Sequence, residues 1–422
     1  MSDLAPLRVA VLGAGTVGGS VVRAFLERPD TLAPFDGRRL VLAGVAEKDF
    51  ARATARGIPP GILTDAPAHL VADPEIDAVV ELMGGDEPAH TLVAAALGAG
   101  KAVVTANKHM VARHGSELEA IARRTGAPFR FEAAVGGGIP VLAPLATDLA
   151  ANTVSRIRGI VNGTTNFILT AMGEGGRSYD DVLAEAQARG YAEADPRGDV
   201  AVNKAVILAR LAFGAWLDPA EVLRTPPSAR GWGRPGITGV TTGDLAGAYL
   251  LRLDLKLLAT VEAGPAGGIA AAVVPTAVPE ASAFGGTDGV LNRIEVRAAP
   301  VGDVAFSGPG AGGDATSSAV LGDLLAIARG GGSTWAGLPP AAAATRGDAI
   351  GPFEADRPWF ALLPGIAPDA IDPAALGAGV TVEETPGGAA IRTGLLPLAG
   401  ARAAVAALLP GGVDVTLYPV TD

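Results

Sequence analysis

A short β-branched run, LRVAVL over residues 7–12, ends directly in Gly13-Ala14-Gly15-Thr16-Val17-Gly18 and is followed by the helical pattern SVVRAFLER. No other stretch limits the fold as tightly. In the order strand, G-x-G-x-x-G, helix, the first glycine permits a tight turn and the second lets a pyrophosphate reach the backbone. The third lets the helix pack closely on the strand. The phosphates of a dinucleotide then meet the amides of the helix N-terminus. We therefore expect Gly13, Ala14, Gly15, Thr16, Val17 and Gly18 to contact a dinucleotide. Strand patterns at 77–83 and 101–105, alternating with helical patterns at 90–100 and 110–125, predict an α/β class, Rossmann-like, doubly wound parallel sheet.

The second strand, RLVLAGVAEKD, ends at Glu47-Lys48. An acid there accepts hydrogen bonds from a ribose diol and favours NAD, whereas Lys48 attracts the 2′-phosphate of NADP, so both cofactors stay open. Ligands of such sheets gather beyond the carboxyl ends of the strands. Gly84-Gly85 and Thr105-Ala106-Asn107-Lys108 sit at such ends, which makes Lys108 a candidate for the substrate or nicotinamide region. A strand pattern at 128–135 then runs into Gly136-Gly137-Gly138-Ile139-Pro140 and the helical pattern VLAPLATDLAAN. The glycines either pin the backbone in an unusual path with its carbonyls facing a ligand or ion, or form a hinge.

From about 141 to 305 helical patterns (165–172, 180–189, 202–216, 242–253) give way to strand patterns (255–262, 268–274, 290–298, 302–306), as in an α+β domain with a mostly antiparallel sheet. Its apolar surface is sufficient to pair with a second subunit. Within it, Glu193, Asp195, Asp199 and Lys204 crowd ahead of an apolar helix. A lysine so placed can be held as a proton donor among acids, or the acids can simply favour the helix dipole. Gly308-Pro309-Gly310-Ala311-Gly312-Gly313 leads into Thr316, expected to cap a helix that returns to the first domain, with the glycines lying against a flat ligand such as nicotinamide. After a Gly-, Pro- and Ala-rich linker at 331–356, the tail reads βαββαβ, the ferredoxin-like order. The expected domains are 1–135 completed by 308–330, 136–307, and 357–422.

A chain of 422 residues exceeds one ordinary core, which fits that division. A net charge of −11 with 33 Lys and Arg argues against nucleic acid and against an anionic membrane surface. The absence of cysteine removes disulfides, thiolate metal sites and a Cys nucleophile, and fits a reducing compartment, so a cytoplasmic protein is expected. No basic stretch precedes the first apolar run and no apolar run approaches a membrane span, so neither a signal peptide nor a span is expected.

Taken together, GAGTVG, VELMGG-x-EPA, TANK, EAAVGGGIP, GIVNGTTNFIL, GYAEADP with its following lysine, and GPGAG-x-x-x-T-S-S-A-V resemble homoserine dehydrogenase in order and spacing, over residues 7 to about 330. The tail resembles a degenerate ACT regulatory domain. The resemblance implies reversible NAD(P)-dependent reduction of L-aspartate 4-semialdehyde to L-homoserine, in threonine and methionine biosynthesis. It implies Lys204 as proton donor, Lys108 as a second active-site lysine and Glu193 as a substrate-binding carboxylate. It implies cofactor contacts from the GAGTVG glycines, Gly84 and the Gly308–Gly310 turn, beside those expected of Glu47, Thr105 and Lys108. Glu132, Val135, Gly137 and Ile139 match positions around a monovalent cation (Na⁺ or K⁺). A homodimer or homotetramer and an amino-acid effector such as threonine are further expectations.

One departure stands out. Family members carry an aspartate four residues before the lysine, whereas here Val200 holds that place and Asp199 lies five before Lys204. At about 100° per residue, five positions separate two helical side chains by about 140°. Asp199 therefore acts from a loop or cap, or Asp195 substitutes for it, or catalysis is impaired. The rival function is a cofactor-binding, catalytically weak paralogue that senses or regulates. A semialdehyde dehydrogenase of the usual kind needs a cysteine, which the chain lacks.

Overall fold

Strands buried on both faces must be short apolar runs, and the first sheet is made of them. The computed structural model describes residues 4–188, 197–264, 268–335, 337–341, 353 and 355–421. It opens with β1 (Leu7–Leu12), α1 (Thr16–Glu27), β2 (Leu40–Ala46), α2 (Phe50–Ala55), β3 (Leu63–Thr64), α3 (Pro67–Ala72), β4 (Ala78–Glu81), α4 (Ala89–Gly98), β5 (Ala102–Thr105), α5 (Lys108–Thr125), β6 (Phe129–Arg130) and α6 (Leu142–Ala146). The six strands pair in parallel in the order β3-β2-β1-β4-β5-β6, the doubly wound arrangement the alternation predicts. The order reverses between β1 and β4, so their carboxyl ends flank the crevice where ligands of such sheets bind.

Two expected elements of this region are shorter than their patterns. After Arg130 the chain leaves the sheet for a 3₁₀ turn at Glu132–Ala134, because side chains replace strand partners: the Glu132 amide donates to Asp323 and the Glu132 carboxylate takes amides further along. The helix expected from 141 stops at Ala146, where the Thr147 hydroxyl donates to the Ala143 carbonyl.

The chain continues through β7 (Thr153–Ile160), α7 (Gly163–Gly175), α8 (Tyr179–Ala188), α9 (Asp199–Phe213), α10 (Thr242–Leu250), β8 (Leu253–Ala263), β9 (Ile269–Pro279), β10 (Leu291–Ala299) and β11 (Gly302–Pro309). These strands form a sheet ordered β11-β10-β7-β8-β9, antiparallel between β7, β8 and β9. β7 takes the centre, although its sequence, TVSRIRGI, carries two arginines and was not anticipated as a strand. Then come α11 (Gly313–Ala328), β12 (Trp359–Pro364), β13 (Thr381–Thr385), β14 (Gly388–Arg392), α12 (Leu398–Leu408) and β15 (Tyr418–Pro419). α11 starts at Gly313 with Gly312 as its cap, so Thr316 lies inside the first turn and does not cap it. The last sheet is antiparallel in the order β13-β14-β12-β15, with its first and third strands central, as in the ferredoxin-like arrangement. Its expected first helix is instead a pair of 3₁₀ turns, each begun by a proline.

The chain divides into two compact units, Met1–Thr153 with Val206–Asp218 and Gly308–Ala344, and Val154–Ala205 with Pro219–Ser307 and Thr345–Asp422. In the first, Val9, Val11, Val21, Phe25, Val80 and Leu324 belong to one core that packs α1 and α11 against the parallel sheet. In the second, Trp359, Leu363, Ile391 and Val405 of the C-terminal sheet share a core with Ala272 and Val274 of β9. Among the described residues no helix is long and apolar enough to cross a membrane.

Candidate active site

The glycine loop is built by steric exclusion. Gly13 has φ +95°, and a Cβ there would lie 2.8 Å from the Leu82 carbonyl oxygen. A Cβ on Gly18 would lie 1.9 Å from the Gly13 oxygen, so no other residue fits. Around Gly15, by contrast, a Cβ would meet nothing within 4 Å: the loop is open on the side where a pyrophosphate would approach the first turn of α1. Ala14, Thr16 and Val17 complete the turn, with α1 beginning at Thr16.

Glu47 braces this loop. Its Oε2 accepts the Ala14 amide at 2.9 Å, and its Oε1 accepts the amides of Lys48 at 2.8 Å and Asp49 at 3.2 Å. Partial burial raises the carboxyl's pKa, but these amides and the charge of Arg52 outweigh it and hold the group below the usual range. Arg56 adds a second brace, donating to the Ala14 carbonyl at 2.7 Å.

The loops after β4 and β5 share a hub that the sequence reading did not single out. Glu81 is fully buried; its Oε1 accepts the amides of Met83 at 2.8 Å and Gly84 at 3.1 Å, and its Oε2 accepts the Thr105 hydroxyl at 2.6 Å. Burial pushes its pKa up against the pull of Thr105, Gly84, Met83 and Asn107. Asn107 caps α5 by accepting the Met110 amide and donates to the Gly85 carbonyl at 2.8 Å. Lys108, half-buried, is thereby fixed as the first residue of α5 beside the Gly84-Gly85 turn. The available signal was an acid closing the apolar run AVVE at a strand's carboxyl end.

The triple-glycine segment is a close backbone approach and not a hinge. Gly137 has φ +60°, and its Cβ would lie 2.6 Å from the Gly310 oxygen. A Cβ on Gly308 would lie 3.3 Å from the Ile139 side chain, and the Gly138 amide donates to the Pro309 carbonyl, so the 136–140 and 308–313 turns lock together. The Glu132 side chain is occupied: it accepts the amides of Val141 at 2.7 Å, Leu142 at 2.8 Å and Ala143 at 2.7 Å at the start of α6. Burial and the neighbouring Asp323 raise its pKa against those amides. Among the described residues no main-chain amide donates to the carbonyls of Val135, Gly137 or Ile139.

In the second unit, Lys204 is 7% exposed and its Nζ donates to the Val161 carbonyl at 2.6 Å. Asn162, next in the chain, caps α7 by accepting the amides of Thr164 and Thr165, which fixes the turn that carries that carbonyl. Asp199 is the first residue of α9, hence on the same helix as Lys204, and its carboxylate pairs with Arg224 at the surface. Glu193 and Asp195 lie outside the described residues.

The chain is similar to known proteins over most of its length. Residues 140–325 match the family model described as homoserine dehydrogenase, and residues 13–132 match that of the homoserine dehydrogenase NAD binding domain. Homoserine dehydrogenase of Mycobacterium tuberculosis is 43% identical over 336 residues, covering 78% of this chain and 73% of that protein. The Corynebacterium glutamicum enzyme is 41% identical over 347 residues, covering 78% and 76%. Among solved structures, a homoserine dehydrogenase from Thiobacillus denitrificans superposes with a TM-score of 0.85 at 32% identity, over 99% of this chain and 98% of that one. A hyperthermophilic archaeal homoserine dehydrogenase in complex with NADPH gives 0.62 at 27% identity, over 76% and 97%.

Proposed function

This chain belongs to the homoserine dehydrogenase family, and from that premise we propose how its residues divide the work. It is an NAD(P)-dependent oxidoreductase that acts on a CH–OH group, interconverting L-homoserine and L-aspartate 4-semialdehyde. When bound, the reduced nicotinamide supplies a hydride. Gly13, Gly15 and the first turn of α1 receive the pyrophosphate, Glu47 meets the adenosine ribose, and Gly84, Thr105, Lys108, Gly308 and Gly310 contact the nicotinamide half.

Lys204 gives its proton to the carbonyl oxygen as the hydride reaches the carbon, so that charge growing on that oxygen is met by an ammonium. In the reverse direction the neutral amine removes the hydroxyl proton of homoserine. Lys108 serves as the second active-site lysine, Glu193 and Asp195 bind the substrate's α-ammonium, and Asp199, about 140° round α9 from Lys204 and paired with Arg224, supports it through its charge. What carries this reading is the buried Lys204 amine, which donates to the Val161 carbonyl on a capped turn. A cation such as Na⁺ or K⁺ fits the unclaimed carbonyls of Val135, Gly137 and Ile139, with Glu132 ordering the turn.

We further propose that residues 1–135 with 308–330 serve as the cofactor domain, 136–307 as the substrate and dimerisation domain, and 357–422 as an ACT-like module for an amino-acid effector such as threonine. The exposed apolar side chains of Tyr249, Leu250, Val290 and Leu291 on the second unit support assembly into a homodimer or homotetramer. The test is homoserine-dependent reduction of NAD⁺ and NADP⁺, assayed in parallel on the full chain. Turnover with at least one cofactor is expected; none above buffer with either would favour a regulatory paralogue.

A further inference from the structure

The first unit also holds a histidine and carboxylate cluster that the reaction does not use. His90 on α4, with His114 and Glu117 on α5, brings ligand atoms within 4.8 Å of one another. The two imidazoles stack with centroids 4.0 Å apart. His90 Nε2 lies 3.1 Å from Glu117, while His90 Nδ1 lies 3.2 Å from Glu87 and His114 Nε2 lies 2.7 Å from Asp86.

A carboxylate only accepts, and a neutral imidazole has one N–H to give. A neutral His90 would therefore face two acceptors with one donor. A cation between His90 Nε2 and Glu117 resolves the mismatch and leaves the Nδ1 proton for Glu87. Histidine ligands of metals are held in this way, with the second ring nitrogen donating to a carboxylate, and Asp86 stands in the same relation to His114. Arg113, 3.7 Å from Asp86, offsets only part of the negative charge that Asp86, Glu87 and Glu117 bring together. The cluster opens to solvent on the Glu117 side, where that side chain is 56% exposed.

We propose that His90, His114 and Glu117 bind a divalent transition-metal ion of the zinc class, with Glu87 and Asp86 orienting the rings. Two imidazoles and one carboxylate suit zinc or cobalt, and suit magnesium or calcium poorly, since those prefer oxygen alone. Occupancy links α4 to α5 and so stabilises the folded chain.

The experiment titrates the chelator-treated full chain with Zn²⁺ by calorimetry and with Co²⁺ by visible absorption, and records Tm with and without Zn²⁺. The expected result is one saturable ion per chain, a raised Tm, and affinity more than about tenfold weaker in His114→Gln and Glu117→Gln, since even outer partners cost that much. His69→Gln, outside the cluster, should bind as the unmodified chain does. Glu117→Gln, at an exposed position, keeps the test decisive should His114→Gln fold poorly. No saturable binding, or equal affinity across the three variants, would overturn the site.

Discussion

Thr105, at the end of β5, donates its hydroxyl across 2.6 Å to Glu81, at the end of the neighbouring β4, with both side chains fully buried. Because the other Glu81 oxygen holds the amides of Met83 and Gly84, one carboxylate sets the two loops that lead to Gly84 and Lys108. Glu81→Ala strands those donors at a cost of about 1–3 kcal/mol for each one left buried and unmade. The expected outcome is a lower urea midpoint together with a raised KM for the cofactor. A midpoint that falls with no change in that KM would reduce Glu81 to a purely structural group.

The same carboxylate gives a pH signature. Burial raises its folded pKa above the unfolded value, so its contribution to stability is fully present below the unfolded pKa and is lost as pH rises through the folded one. Glu81→Gln should flatten that fall in stability across the window just above the ordinary carboxylate range. Urea unfolding of both proteins through a pH series measures the difference.

Two glycine substitutions separate fold from cofactor binding. A methyl at Gly15 meets nothing within 4 Å, so Gly15→Ala should keep the Tm of the unmodified chain and lose affinity for NAD(P)H, because the added group occupies the pyrophosphate's approach. A methyl at Gly18 runs into the Gly13 oxygen, so Gly18→Ala should lower Tm as well. Cofactor fluorescence titration and thermal melts on the pair suffice.

Glu119 accepts from Arg210 through both oxygens, at 2.7 and 2.8 Å, and from the Trp216 indole at 2.8 Å. Burial raises the pKa of this carboxyl, but Arg210, Trp216 and Arg123 outweigh it, leaving the folded pKa depressed. Its stabilisation is thus present above the unfolded pKa and lost as pH falls through the folded one. Removing one partner leaves a buried charge, so Arg210→Ala should cost about 3–5 kcal/mol in denaturant unfolding at neutral pH.

Asp199 pairs with Arg224 while Lys204 turns inward on the same helix. If Asp199 supports Lys204 from the helix start, Asp199→Asn should lower kcat roughly tenfold, less than the 10²–10⁴ expected for losing a proton-transfer group. An unchanged kcat would move that role to Asp195.

The parallel sheet and its glycine loop were legible because each strand is an apolar run closed by a turn residue, and because G-x-G-x-x-G has one steric explanation. β7 was not, since Arg156 and Arg158 break its apolar alternation while the strand still occupies the middle of its sheet. The 308–313 turn read as ligand-facing and the 136–140 turn as either ligand-facing or a hinge, but their mutual contact through Gly137 and Gly310 is a long-range packing fact that local pattern does not encode. Glu132 read as a cation neighbour; that its carboxylate spends itself on the amides of Val141, Leu142 and Ala143 depends on where α6 starts. Glu81 was overlooked because an acid at a strand end looks like a solvated one until its burial is known.

The central claim is that the Lys204 ammonium delivers the proton, and the most direct measurement is kcat for homoserine oxidation by Lys204→Met alongside its NAD(P)H affinity. A fall in kcat of roughly 10²–10⁴-fold with cofactor affinity and Tm retained is the predicted result. Turnover within about twofold of the unmodified chain would contradict it.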